Sequence, residues 1–247
     1  MYTLITGASS GIGRASAEQL AASGHNLILI ARRIDRLEEI QNELQNKYKI
    51  EVKIYKVDVS DPQQIEDFFN SISDLPINIL VNNAGLSLEK AHFHKYDWQD
   101  IETMLDVNVK GFLQIAYNCI PHLIKSEGLI INVSSISGIE GYEGGAVYCA
   151  TKAYVKMMSN TLRKDLLTSK VRVSDIAPGA VDTEFSTIRF KGDKQKADSV
   201  YNGFVPLYAK DIADCISFVA NRPKSVCIDY MLVMPTAQAG ATTFCRD

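Results

Sequence analysis

Short runs of apolar, mostly β-branched residues recur along the chain. Between them lie longer stretches in which apolar positions return every three or four residues. The first pattern predicts strands and the second amphipathic helices. Strands are expected at Tyr2–Thr6, Asn26–Ala31, Val52–Val59, Ile79–Asn82, Leu129–Ser134, Val171–Ile176 and Ile228–Val233. Most are apolar nearly throughout, as strands buried on both faces of a parallel sheet are. Helices are expected at Ile12–Ser23, closed by Gly24, and at Asp35–Lys47, where Leu37, Ile40 and Leu44 form one stripe. Asp61-Pro62 opens another, as a cap followed by a proline at the first helical position. Further helices are expected over Trp98–Lys125, Val147–Thr168 and Asp211–Asn221. The alternation predicts the α/β class: one domain spanning residues 1–247, a doubly wound, seven-stranded parallel sheet with helices on both faces. One segment breaks the rhythm. Val181–Tyr208, between strands six and seven, is polar, carries Arg189, Lys191, Lys194 and Lys196, and reads as a lid or binding loop.

Composition narrows the class. The chain has 247 residues, is 46% hydrophobic and has a formal net charge of −3. No basic excess marks a nucleic-acid binder, and no apolar run is long enough to span a membrane. The five cysteines form no CxxC pair, so neither a disulfide framework nor a zinc site is expected, and reduced thiols in a cytoplasmic protein are. His25, His92, His94 and His122 show no ligand spacing, so no metal is expected.

The first strand runs into Thr6-Gly7-Ala8-Ser9-Ser10-Gly11-Ile12-Gly13 and then into a helix. Gly7 suits the tight turn, Gly11 lets backbone approach a pyrophosphate, and Gly13 lets helix and strand pack closely. The helix N-terminus then offers free N–H groups to phosphates. The second strand ends in Ala31-Arg32-Arg33, with no carboxylate to hold a ribose 2′-hydroxyl. Two guanidinium groups suit a 2′-phosphate instead, which favours NADP over NAD. Asp58 is placed either to reach the adenine edge or to act as a turn residue before Ser60-Asp61-Pro62.

Tyr148 and Lys152 lie four apart on an expected helix and share a face. Ser134-Ser135 end the strand before it. Asn82-Asn83-Ala84-Gly85 and Pro178-Gly179 end two others, so special residues collect at one carboxyl edge of the sheet, where ligands bind in such folds. Hydride transfer to a carbonyl requires a proton donor, and the reverse requires a base. A phenol is too weak a base at neutral pH unless nearby positive charge stabilises the phenolate. Tyr148 is the candidate acid/base, Lys152 its tuning cation and a holder of the nicotinamide ribose, and Ser135 the group that orients the substrate oxygen.

Together these residues resemble the short-chain dehydrogenase/reductase family over essentially the whole chain. TGASSGIG is similar to that family's TGxxxGxG, NNAG to its NNAG, and Tyr148-Lys152 to its YxxxK, with Ser135 thirteen residues before Tyr148. The resemblance implies a Rossmann-like fold and a catalytic tetrad completed by Asn108. It implies cofactor contacts from Gly7, Ser9, Ser10, Gly11, Ile12, Gly13, Arg32, Arg33, Asp58, Val59, Asn83, Ala84, Gly85, Pro178, Gly179, Val181 and Thr183. The stretch from Thr183 to Asp193 resembles the lid of NADP-dependent 3-hydroxy acid dehydrogenases. That resemblance implies serine, allo-threonine or 3-hydroxypropionate-type substrates and a homotetramer.

Arg189 is the one arginine in the lid, placed either to grip a substrate carboxylate or to sit in a solvated loop. Glu143, in the expected pocket segment, would oppose an anionic substrate. Reduction of sulfoacetaldehyde or of an uncharged ketone or aldehyde is the competing enzymatic reading. A nucleotide-sensing regulator would have no need of Asn108, Ser135, Tyr148 and Lys152 together.

Overall fold

The computed structural model describes residues 1–247. Seven strands form one sheet: β1 (Tyr2–Thr6), β2 (Asn26–Ala31), β3 (Val52–Lys56), β4 (Ile77–Asn82), β5 (Leu129–Val133), β6 (Arg172–Pro178) and β9 (Tyr230–Val233). Their order is β3-β2-β1-β4-β5-β6-β9, and every neighbouring pair is parallel. The period of two along a strand divides the core between the faces. Leu27 and Leu29 of β2 point to one side, where α1 (Gly11–Ala22), α2 (Ile34–Tyr48) and α9 (Ala209–Ala220) pack through Leu20, Leu37 and Ile216. Ile28 and Ile30 point to the other, against α3 (Pro62–Ser71), α5 (Phe112–Ser126) and α6 (Ala146–Asp165), through Phe68, Ile115 and Leu162. The sheet is therefore covered on both sides, which explains why its strands are apolar at nearly every position.

Local chemistry sets the ends of these elements. The Asp61 side chain caps α3 by accepting from the N–H groups of Gln63 and Gln64, with Pro62 at the first helical position. The third strand stops at Lys56 rather than Val59, because Asp58 folds into a turn: its Oδ1 accepts from the Ser60 N–H and hydroxyl. The last helix before β6 ends at Asp165, and Leu167–Ser169 form a separate 3-10 turn.

The expected helix over Trp98–Lys125 is interrupted. α4 (Trp98–Leu105) and α5 are joined by Asp106–Gly111, wound as a π-helix. A wider turn of this kind displaces side chains from their α-helical positions and is frequent at functional sites. Here it carries Asn108 inward, where it is 2% exposed.

The segment between β6 and β9 has structure of its own. β7 (Val181–Asp182) and β8 (Leu207–Tyr208) form a short parallel ribbon, and α7 (Glu184–Arg189) and α8 (Lys194–Ser199) lie between them. The segment is tied down. The Glu89 N–H donates to the Arg189 carbonyl, the Lys191 ammonium is 2.7 Å from the Asp100 carboxylate, and the Tyr201 hydroxyl donates to the Val181 carbonyl. The chain end holds its far side, with the Phe204 and Phe244 rings 4.8 Å apart.

Candidate active site

The strand order reverses between β1 and β4, and the crevice above that reversal is where an α/β sheet binds ligands. Thr6, the last residue of β1, joins the two halves: its hydroxyl accepts from the N–H groups of Asn83 and Ala84, and its carbonyl from the Asn83 amide. Gly7 and Gly11 adopt φ of +66° and +51°, which a side chain would strain. A Cβ on Gly13 would run into the Gly7 carbonyl oxygen, so Gly13 acts through packing and does not line the crevice. No side chain caps the N-terminus of α1, which leaves the donors of its first turn for an anion.

From this turn a cleft runs to the start of α6. It is lined at one end by Ser9, Ser10, Arg32, Arg33, Asp58 and Val59 and at the other by Ser135, Tyr148 and Lys152. Gly7, Gly11, Ile12, Asn83, Ala84, Gly85, Pro178, Gly179, Val181 and Thr183 line its length. The cleft therefore gathers all the residues expected to contact a cofactor except Gly13. An open trough over uncapped helix donors, with guanidinium groups at one end and a phenol and an ammonium at the other, fits a 2′-phosphorylated dinucleotide.

The two arginines are not equivalent. The Arg32 guanidinium is largely exposed, 4.0 Å from the Asp58 carboxylate. Arg33 turns inward and donates to the hydroxyls of Ser9 and Ser10, the latter at 2.8 Å. Its Nη1 meets Glu184, the first residue of α7, at 2.9 Å, and Arg36 meets the same carboxylate at 2.6 Å. Burial raises the Glu184 carboxyl, but Arg36 and Arg33 outweigh it and hold the group below its ordinary value. Neither Arg36 nor Glu184 was expected at the site.

At the other end, α6 presents Tyr148 and Lys152 one turn apart, both buried. The Lys152 ammonium donates to the Val133 carbonyl at 2.9 Å and lies 5.9 Å from the Tyr148 ring centre. Burial pulls Lys152 down to about 8, with Asp175 opposing. Burial likewise raises Tyr148 from the ordinary phenol value, and the forces against it are the positive charge of Arg189 and a hydrogen bond with Ser135. Arg189 is thus a second cation beside the phenol, in addition to the Lys152 that the sequence pointed to. Its guanidinium carbon is 5.3 Å from the Tyr148 ring centre and 5.0 Å from that of Phe185, and its Nε is buried without a partner.

Ser135 is fixed by a local turn: its Oγ accepts from the Ser137 N–H. Gly138 then lets this turn rest on the α6 backbone, since a Cβ there would lie 2.6 Å from the Lys152 carbonyl oxygen. Asn108 sits behind the cleft. Its amide donates to the Leu86 carbonyl at 2.7 Å and to the Thr151 hydroxyl, and its Oδ1 accepts from the Leu86 N–H. Thr151 in turn donates to the Tyr148 carbonyl. Asn108 is therefore tied both to the loop after β4 and to the helix bearing Tyr148.

Sequence reasoning missed the apolar wall formed by Leu86, Val107, Phe185 and Ile188, because apolar residues in a loop or helix carry no chemical signal of their own. Glu143 does not oppose a substrate anion: its side chain is 84% exposed and 3.6 Å from His92, outside the cleft lining. No group of three or more His, Cys, Asp or Glu side chains is arranged to hold a metal ion.

Comparison with known proteins places these observations in context. The family model described as short chain dehydrogenase matches residues 2–194. An NADP-dependent 3-hydroxy acid dehydrogenase of Schizosaccharomyces pombe is 43% identical over 242 residues, covering 96% of this chain and 93% of that protein. A sulfoacetaldehyde reductase of Chromohalobacter salexigens is 42% identical, covering 95% of this chain and 94% of that protein. Among solved structures, the closed form of a serine dehydrogenase complexed with NADP+ is 38% identical with a TM-score of 0.93, covering all of both chains.

Proposed function

This chain belongs to the short chain dehydrogenase family, and on that premise we propose that it interconverts a small 3-hydroxy acid and the corresponding oxo acid or semialdehyde. It is an NADP-dependent oxidoreductase acting on a hydroxyl group, and its relatives include dehydrogenases named for 3-hydroxy acids and for serine. The observation that carries the substrate class is Arg189. A half-buried arginine with a buried, unpartnered Nε, lying against the acid/base phenol, is a ready partner for an anion held beside the reacting carbon. Serine, allo-threonine and 3-hydroxypropionate share that anion at that spacing.

When bound, NADP(H) accepts or delivers the hydride. In the proposed mechanism the chain's own groups do the rest. Ser135 and the Tyr148 hydroxyl hold the substrate oxygen, and Tyr148 takes its proton in oxidation or returns it in reduction. Arg189 stabilises the phenolate against the cost of its burial. Lys152, anchored on Val133, holds the ribose, and Asn108 fixes the backbone behind it. Gly7, Ser9, Ser10, Gly11, Ile12, Arg32, Arg33, Asp58, Val59, Asn83, Ala84, Gly85, Pro178, Gly179, Val181 and Thr183 would hold the remainder of the cofactor. Phe185, Ile188 and Leu86 exclude water from the reacting end.

The sulfoacetaldehyde reductase among the relatives supports a second reading, since a sulfonate is also a small anion that Arg189 can pair. The test follows NADPH and NADP+ absorbance with L-serine, 3-hydroxypropionate, malonic semialdehyde, sulfoacetaldehyde and a neutral ketone, with Tyr148→Phe as the inactive control. Turnover of the hydroxy acids is expected, and Arg189→Ala should raise their KM about 100-fold while hardly changing that of the neutral ketone. An equal rise in KM on charged and neutral substrates would refute the anion role. A preference for sulfoacetaldehyde would favour the second reading.

The proposed setting is cytoplasmic, supported by five free cysteines. No helix is long and apolar enough to cross a membrane. The proposed partner is a small molecule, with no nucleic acid. A homotetramer is proposed from the apolar side chains that α4, α5 and α6 leave exposed, among them Leu105, Leu113, Tyr117 and Met157.

A further inference from the structure

The lid and the cofactor's phosphate end meet at one carboxylate. Glu184 opens α7, and its two oxygens are taken by Arg36 at 2.6 Å and Arg33 at 2.9 Å. Arg33 has two usable edges. One edge, Nε and Nη2, faces the hydroxyls of Ser9 and Ser10 in the glycine turn. Nη1, at the other, is held by Glu184. A guanidinium is planar, so fixing one edge fixes the direction of the other. Arg32, which no lid residue holds, is swung out to the surface near Asp58. Of the adjacent pair of arginines, the one aimed at the glycine turn is the one Glu184 grips.

We propose that Glu184 is a positioning residue for cofactor choice: by clamping Arg33 from the lid side, it presents the Arg33 fork to the 2′-phosphate beside Ser9 and Ser10. An acid this near a phosphate site would ordinarily repel the ligand. Here its charge is spent on Arg36 and on the far edge of Arg33, so the edge toward Ser9 and Ser10 keeps its donors. The contact also ties the first turn of the lid to the β2–α2 turn, and the same turn of α7 places Phe185 on Tyr148, with ring centres 5.6 Å apart. The adenosine end and the reacting end of the cleft are thereby linked through one turn of α7.

The inference rests on the NADP reading above, and the test separates the two. Binding of adenosine 2′,5′-bisphosphate and of AMP is measured by calorimetry on the intact chain, without turnover. NADPH and NADH are then compared kinetically. Glu184→Ala should weaken the bisphosphate about fivefold and leave AMP unchanged within twofold, with the KM for NADPH rising more than kcat falls. Glu184→Asp, which keeps the charge, should recover part of that loss. Arg33→Ala should weaken the bisphosphate by roughly 30-fold. Tighter or unchanged bisphosphate binding in Glu184→Ala, with Arg33→Ala still defective, overturns the positioning role alone. Equal weakening of both ligands overturns it too, as mere loss of structure. Unchanged bisphosphate binding in Arg33→Ala removes the phosphate site itself, and the inference with it.

Discussion

At the scale of single residues the site is a competition between burial and a few placed charges. Lys152 is buried among apolar and backbone groups, and burial lowers it from its ordinary 10.5 to about 8. Between those two values the unfolded chain holds a proton that the folded chain has shed, so this group's contribution to stability rises with pH across that window. Below pH 8 the folded protein carries the full cost of a buried ammonium. Lys152→Met removes that cost at low pH only. The difference in melting temperature, variant minus parent, should therefore fall as pH is raised from 7 to 9.5 in a thermal unfolding series, and a flat difference would contradict the lowered value. Tyr148 and Lys152 were legible in the sequence because one helix fixes their spacing, Ser135 because it stands at the end of the strand before that helix, and Asn108 only through the family resemblance. Arg36 and Glu184 were not, because the residues that meet there are 148 positions apart and neither stands in a recognisable pattern.

At the scale of elements, close backbone approaches set the geometry. Gly13 brings α1 onto the end of β1, and Gly138 brings the Ser135 turn onto α6. A methyl at position 13 meets a carbonyl oxygen that cannot move without shifting the strand. Gly13→Ala should cost about 2 kcal/mol through overpacking. That corresponds to a loss of ~4–8 °C in melting temperature for a chain of this size, accompanied by weaker cofactor binding. A melting temperature within 1 °C or so of the parent would show that the turn absorbs the methyl group. Element types followed from periodicity, and most strand ends lie within two or three residues of expectation. The π segment at Asp106–Gly111 did not follow, since Asp-Val-Asn-Val-Lys-Gly has nothing to distinguish it from an ordinary helical turn. What selects the wider turn is tertiary: Gly111 lies against the Val59 carbonyl, and Asn108 is held by Leu86 and Thr151. The lid was legible as a break in rhythm, but its two short helices were not. Each is six residues long, and the segment is held by contacts from outside it, such as Arg36 to Glu184 on α7 and Asp100 to Lys191 between the two helices.

At the scale of the whole molecule, the surface asks for partners. Tyr117 on α5 is 75% exposed and Met157 on α6 is 66% exposed, and such side chains on neighbouring helices suit a face shared between copies. Light scattering should give about 110 kDa, four copies of the 27.4 kDa chain, and Tyr117→Asp should shift the mass toward smaller species. A parent that scatters as a single chain would refute the tetramer. The sheet order has a further meaning for how the molecule stays whole. β1 is flanked by β2 and by β4, which arrive 24 and 75 residues after it. The sheet is thus two sub-assemblies sharing one strand, with the cleft end at Arg32 and Arg33 on the first and the end at Tyr148 and Lys152 on the second. A molecule lying along the cleft touches both and acts as a rivet across the seam.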